Sequence, residues 1–280
     1  MADSLVIPAP TTDLHGRPMI SRAAEVVRDI ARGGIAGIIV GLLVGGLGGR
    51  LVMRVATILH EDRVGMFTEN GELIGRISVQ GTLALMTFGG LGMGLLAGAI
   101  WVIVSPWIPG RGLARARVTA IAAIALGTPP LIQRTNPDFT ILRHDPIVVV
   151  LLVGLVGLVG FSIATVDGAL DARLPRAIGG FGISTTVYLV VTLIGLVLIL
   201  PLTVAILIDQ TEYDAPIRAG WALAVVGACT LTWWLFRLKG RSAPPKALWV
   251  AGTVSLLVAV VLGFVTSLPQ ILGAAGVPLS

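Results

Sequence analysis

Long apolar runs separated by short polar clusters make up most of the chain, and none of them alternates at period two. Seven runs stand out, at about 34–58, 82–104, 113–133, 147–166, 182–208, 219–236 and 247–271. Each is near the about 17 to 25 residues needed to cross a ~30 Å hydrocarbon layer as a helix. Continuous apolarity excludes a transmembrane barrel, whose strands alternate. The pattern predicts an all-α, polytopic transmembrane helix bundle of about seven spans, forming one transmembrane domain over 21–272. In the third run Thr128-Pro129-Pro130 removes backbone donors, which predicts a broken or re-entrant helix there. Pro201 predicts a kink in the fifth.

The flanks read differently. Residues 1–20 are polar and proline-containing, a mobile tail, and 273–280 form a short C-terminal tail. Over 21–32, Ala23, Val26, Val27 and Ile30 recur at helical spacing among Arg22, Arg28 and Arg32, which predicts a short interfacial helix leading into the first span. That hydrophilic lead is longer than a signal-peptide n-region, so no cleaved signal is expected. The loop 60–81 holds two strand-like stretches around Glu69-Asn70-Gly71-Glu72, and Asn-Gly is a strong hairpin signal. A small extracytoplasmic β-hairpin is the expectation.

Composition agrees with the pattern and narrows it. Hydrophobic residues are 55% of the chain and charged ones 12%, with a mean hydropathy of +0.93. The net charge is +5, but the cations lie in short loops and do not form a phosphate-tracking stripe, so nucleic acid is not an expected partner. Of the 20 Lys+Arg residues, 13 fall in segments on the side of the N-terminus and 5 on the other, leaving Arg50 and Arg54 within a span. The positive-inside rule therefore predicts a bacterial cytoplasmic (inner) membrane protein with its N-terminus cytoplasmic and its C-terminus outside. The lone Cys229 forbids an internal disulfide and a cysteine metal cluster.

Several short motifs carry a resemblance. Gly-Gly-Arg-Leu-Val-Met-Arg at 48–54, Thr-Glu-Asn-Gly at 68–71 with Gly75, Asn-Pro-Asp-Phe at 136–139 and Asp-Gly at 167–168 resemble uncharacterised bacterial multi-pass integral membrane proteins. The resemblance covers roughly the first four spans. It implies architecture and transfers no chemistry.

Glycine recurs every fourth residue at Gly33, Gly37, Gly41, Gly45 and Gly49, and again at Gly90, Gly94 and Gly98. Lipid supplies no hydrophobic force between helices, so small residues that let backbones approach drive their association. The first two spans are expected to pack on these glycines, and a glycine-lined pore is the functional alternative.

Arg50 and Arg54 lie four apart beside that stripe. With the hydrocarbon boundary at Gly34 they stand about 24 and 30 Å along the helix and snorkel to the outer headgroups. With the boundary at Leu59, Arg50 is about 13 Å deep and needs a partner, and the pair forms an anion or headgroup site with Glu61, Asp62, Asp138 and Asp145 as partners.

His60 and His144 sit near those carboxylates as metal candidates, but their spacing matches no metal motif and end-capping is the default. Asp167 and Asp171, beside Arg173 and Arg176, read as a solvated ion-pair cluster. The six tryptophans lie near span ends, as interface anchors.

No nucleophile elbow, zinc-protease or phosphate-loop motif occurs, so no catalytic residue is assigned and no cofactor is expected. The leading expectation is a non-enzymatic small transporter or membrane-complex subunit, surrounded by membrane lipids and with a membrane-protein partner or a homo-oligomer as its associates. One alternative is a membrane-embedded enzyme acting on a lipid-linked or phosphate-bearing substrate at the outer face through Arg50 and Arg54. Another is a structural or sensor protein with no small-molecule site.

Overall fold

The computed structural model describes residues 18–67, 75, 79–129, 131–176, 182–208 and 217–278. Among them the regular structure is helical: α1 Met19–Leu59, α2 Gly81–Trp107, α3 Gly112–Gly127, the short α4 Pro137–Ile141, α5 Pro146–Arg173, α6 Ile183–Ile208, α7 Ile217–Leu238 and α8 Lys246–Ala274. Five stretches are long and apolar enough to cross a membrane: α1, α2, α5, Ala219–Leu238 and α8. Seven were expected, and the other two, α3 and α6, are not among these five. α3 has 16 residues, and the described apolar stretch of α6 ends at Val197.

The helix ends follow local chemistry. Asp145 caps α5, its Oδ1 accepting from the Ile147 amide at 2.7 Å, and Pro146 occupies the first helical position, where its missing N–H costs nothing. Asn136 and Pro137 start α4 in the same way. Between α2 and α3 the chain reverses through Gly110 and Gly112, at φ +94° and +51°, which glycine adopts without the steric cost of a Cβ. α3 ends at Gly127, just ahead of Pro129, and the chain continues in turns through Leu131–Arg134.

Residues 21–32, expected as a separate interfacial helix, continue into the first span without a break. Met19–Leu59 is one helical run of 41 residues. The expected hairpin's turn, Glu69 to Glu72, lies outside the described residues; its described flanks hold a 3-10 turn at Glu61–Arg63 and no strand.

α1 is the central element, packing on α2, α5, α6 and α7. Against α2 the contact is backbone to backbone. A Cβ added at Gly37 would overlap the Gly94 carbonyl and lie 2.6 Å from the Gly98 Cα; one added at Gly41 would overlap the Gly90 carbonyl and the Gly94 Cα. Both helices take a wider, π-type turn at this level, at Gly41–Gly46 and Leu85–Gly92. Gly33 meets side chains of α2, Gly49 only the tip of Leu85, and Gly45 has nothing within 4 Å.

Other helix pairs also close on glycine, at positions the fourfold spacing did not single out. Gly160 on α5 abuts the Thr119 carbonyl of α3, 2.8 Å from an added Cβ, and Gly263 on α8 abuts the Ala125 carbonyl at 2.6 Å.

The core at the centre of the bundle includes Ala36, Val40, Trp101, Trp107, Ile163, Val226, Trp233 and Leu256. The tryptophans therefore divide. Trp221 is 71% exposed, whereas Trp101, Trp107 and Trp233 are buried and are core residues, not interface anchors. Trp107 donates its indole N–H to the Thr230 Oγ at 2.8 Å, and that hydroxyl donates to the Ile103 carbonyl at 2.6 Å. Burial of an indole is cheap once its single N–H is satisfied.

Candidate functional site

Two pairs of like-charged residues, each four apart and so on one helix face, meet at the end of the bundle where α1 begins. Arg28 and Arg32 come from α1, Asp167 and Asp171 from the last turns of α5. Arg32 Nε donates to Asp167 Oδ1 at 2.7 Å, and its Nη1 also bonds Asp171 Oδ1. Arg28 has no exposed side-chain surface. It bonds Asp171 Oδ1 at 2.8 Å and three carbonyls, those of Asp171, Leu174 and Pro175, at 3.0 to 3.1 Å. Those carbonyls lie at and just beyond the C-terminus of α5, where the helix dipole favours a cation and its last acceptors lack intrahelical partners. The Tyr188 hydroxyl of α6 donates to the same Pro175 carbonyl at 3.1 Å.

The cluster extends to α7. Arg237 Nη1 bonds Asp29 Oδ2 at 2.6 Å, and Arg22 donates to the Leu238 carbonyl at 3.1 Å, at the end of α7. Three helices, α1, α5 and α7, are thus tied at one end by guanidinium groups, and α6 joins them through the Tyr188 hydroxyl. Asp167 is buried, with side-chain exposure of 4%, so the reading of Asp167 and Asp171 as a solvated pair beside Arg173 and Arg176 is corrected. Their main partners lie about 135 to 143 positions earlier in the chain, and Arg176 reaches Asp171 only at 3.9 Å. A charge buried at this depth persists only when paired and hydrogen-bonded, and this cluster meets that condition.

Beside Arg32 lies a cavity of about 180 Å³ lined by residues of α1, α2, α3, α5, α7 and the 242–244 turn. Arg32, Arg115, Arg237, Asp29 and Asp167 supply its charge; Trp101, Trp233, Trp234, Val102, Pro106 and Pro244 supply its apolar wall. Arg115 differs from the other two arginines. Its guanidinium stacks over the Trp101 ring at 4.9 Å and donates to the Ser105 carbonyl at 2.6 Å, and its Nε is buried with no acceptor among the described residues.

The residues singled out in sequence lie mostly at the opposite end. His60 Nε2 is 3.0 Å from Asp145 Oδ2, and Asp62 pairs with Arg143 at 2.7 Å and Arg63 at 3.3 Å. Glu61 is exposed, and the Asp138 amide donates to the Asn136 cap at 2.8 Å. His144 turns to the Ala274 carbonyl, its Nδ1 3.3 Å away, so the two histidines serve different helix ends. No group of three His, Cys, Asp or Glu residues that could hold a metal occurs among the described residues. Arg50 bonds the Thr82 hydroxyl at 2.7 Å across the α1–α2 contact, and Arg54 is exposed. Of the four acids named as partners for these arginines, Asp62 and Asp145 are engaged by Arg63, Arg143, His60 and the α5 cap.

In sequence, Arg28 and Arg32 read as the polar face of an interfacial helix, and Arg115 and Arg237 as loop cations. The signal that points to them is the matched spacing: two arginines four apart at the start of one apolar helix and two aspartates four apart at the end of another.

No family model, curated protein or solved structure matches this chain. Several apolar helices of membrane-crossing length make it compatible with a multi-pass membrane protein, and the site must be read from its own geometry.

Proposed function

We propose that the chain is a non-enzymatic, seven-crossing membrane protein of the bacterial inner membrane, a small transporter whose ligand site is the cavity at the cytoplasmic end. α3 and α6 supply the two further crossings. α3 begins beside Arg115 at the cavity end, and the segment after it reaches the far end of α8, where the Arg134 amide bonds the Gln270 side chain at 3.0 Å. The cavity end carries Arg22, Arg28, Arg32, Arg115 and Arg237, the side that the positive-inside rule places in the cytoplasm. The close contacts at Gly37, Gly41, Gly94 and Gly98 read as a glycine zipper that fixes α1 against α2.

One observation carries the reading. Ionisable side chains from α1, α3, α5 and α7 converge on a single cavity between helices, and charged groups held inside a membrane bundle at such a cost mark ligand or ion paths. The outer-face enzyme gains no comparable support, because Asp62 and Asp145 there are engaged in caps and ion pairs with residues other than Arg50 and Arg54.

The test is flux. Purified protein in proteoliposomes on a solid-supported membrane, challenged with jumps of small organic anions, inorganic anions and cations, should give protein-dependent currents for at least one class. Silence across the panel, with the protein folded and reconstituted, would replace transport by the membrane-complex subunit reading.

A further inference from the structure

We propose that the cavity at the basic end binds a small monocarboxylate with a flat apolar body, its carboxylate taken by Arg115 and its body by the tryptophan wall. The inference rests on the cavity being the ligand site of the transporter proposed above, and it names the ligand class.

Charge accounting selects the anion. Three arginines and two aspartates line the space. Arg32 is held by Asp167 and Asp171, and Arg237 is held by Asp29 at 2.6 Å. Arg115 has no carboxylate within 4.0 Å among the described residues; its contacts are one carbonyl and the Trp101 face. One positive charge is left over, so one negative charge completes the site. A guanidinium offers paired N–H donors in the plane that a carboxylate accepts. A phosphate dianion would bring a second charge beside Asp29 and Asp167, where nothing offsets it.

Size and lining select the body. An apolar cavity of about 150 Å³ holds one benzene ring, and this one is about 180 Å³. Trp101, Trp233, Trp234, Pro106 and Pro244 provide flat and apolar faces, which suit a planar group and give little to a sugar or a polyol. Ser105 and Ser242 add polar groups at the lining.

The experiment uses the full chain in phosphatidylcholine nanodiscs, with binding read by thermal shift and by tryptophan fluorescence. The probes are benzoate, its neutral analogue benzyl alcohol, and inorganic phosphate. Benzoate should bind saturably, about tenfold or more tighter than either of the others, because a half-buried cation that loses its anion forfeits a charge-assisted pair. Arg115→Gln should weaken benzoate about tenfold or more, and Arg54→Gln, on an exposed residue far from the cavity, should leave it unchanged.

If Arg115→Gln does not fold, Ser242→Trp fills the exposed rim while sparing every ion pair, and it should abolish binding. Equal binding of benzoate and benzyl alcohol, tighter binding of phosphate, or full benzoate affinity in both cavity variants would overturn the assignment. Binding does not depend on flux. Benzoate binding without currents would retire only the transporter reading, and anion currents without benzoate binding would retire only the ligand class.

Discussion

Arg32 on α1 and Asp167 on α5 are joined by a 2.7 Å ion pair, with both side chains largely withdrawn from solvent, and the pair ties the first helical run to the third helix long enough to fill a bilayer. It sits within a cluster in which Arg28 closes the carbonyl end of α5 and Arg237 brings in α7 through Asp29. Removing one member leaves a buried charge without its counter-charge. Asp167→Asn or Arg32→Ala should therefore destabilise the detergent-solubilised protein by about 3–5 kcal/mol in thermal or denaturant unfolding. The joint replacement Arg32→Met with Asp167→Leu should cost less than the sum of the two single changes, since it removes both charges at once. Strict additivity would show that the two side chains do not interact.

The glycines of α1 differ in what they touch, and substitution should separate them. Gly41→Ala places a methyl on the Gly90 carbonyl and the Gly94 Cα, both rigid backbone, and should cost about 1–3 kcal/mol through displacement of α2. Gly45→Ala meets nothing within 4 Å and should be neutral or stabilising by up to about 1 kcal/mol, the usual helix preference for alanine. Paired unfolding curves check this. Equal effects at the two positions would contradict the packing described.

Much of the architecture is legible in the chain because lipid-length apolar runs leave few alternatives. Detail is lost where the signal is one-dimensional. A residue repeated every fourth position drifts about 40° per step around a 3.6-residue helix, and the wide turn at Gly41–Gly46 shifts the register again. The spacing alone therefore cannot say that Gly37 and Gly41 face α2 while Gly45 does not. Arg28 and Arg32 looked like the polar face of an interfacial helix because their partners are Asp167 and Asp171, more than 130 positions away. Tryptophan at a span end fits a headgroup layer or a core equally well until its N–H finds a partner, as Trp107 does in Thr230.

Trp107 is fully buried against α8, where a Cβ on Gly252 would overlap its ring. Gly252→Val should push α8 away and lower stability by about 1–3 kcal/mol. Trp107→Phe should cost at least the indole hydrogen bond, about 1 kcal/mol, plus the cavity left behind. Wild-type unfolding midpoints in both variants would place the α2–α8 contact elsewhere.

At the opposite end Asp145 serves both the α5 amide of Ile147 and His60. Asn is as good a cap as Asp, so Asp145→Asn should retain most of the stability, while Asp145→Ala should lose about 1 kcal/mol or more. The comparison separates the cap from the pair with His60. An equal loss in Asp145→Asn and Asp145→Ala would show that the carboxylate charge, not the cap, matters most.

The charged cavity is proposed to open at the cytoplasmic end of a membrane-crossing bundle. Ser242 is exposed at its rim, and the chain's lone cysteine, Cys229, is buried. In a Cys229→Ala background, Ser242→Cys should react with a membrane-impermeant maleimide in inside-out vesicles and stay unlabelled in right-side-out ones. Labelling from the outer side would contradict both the orientation and the cavity's proposed role.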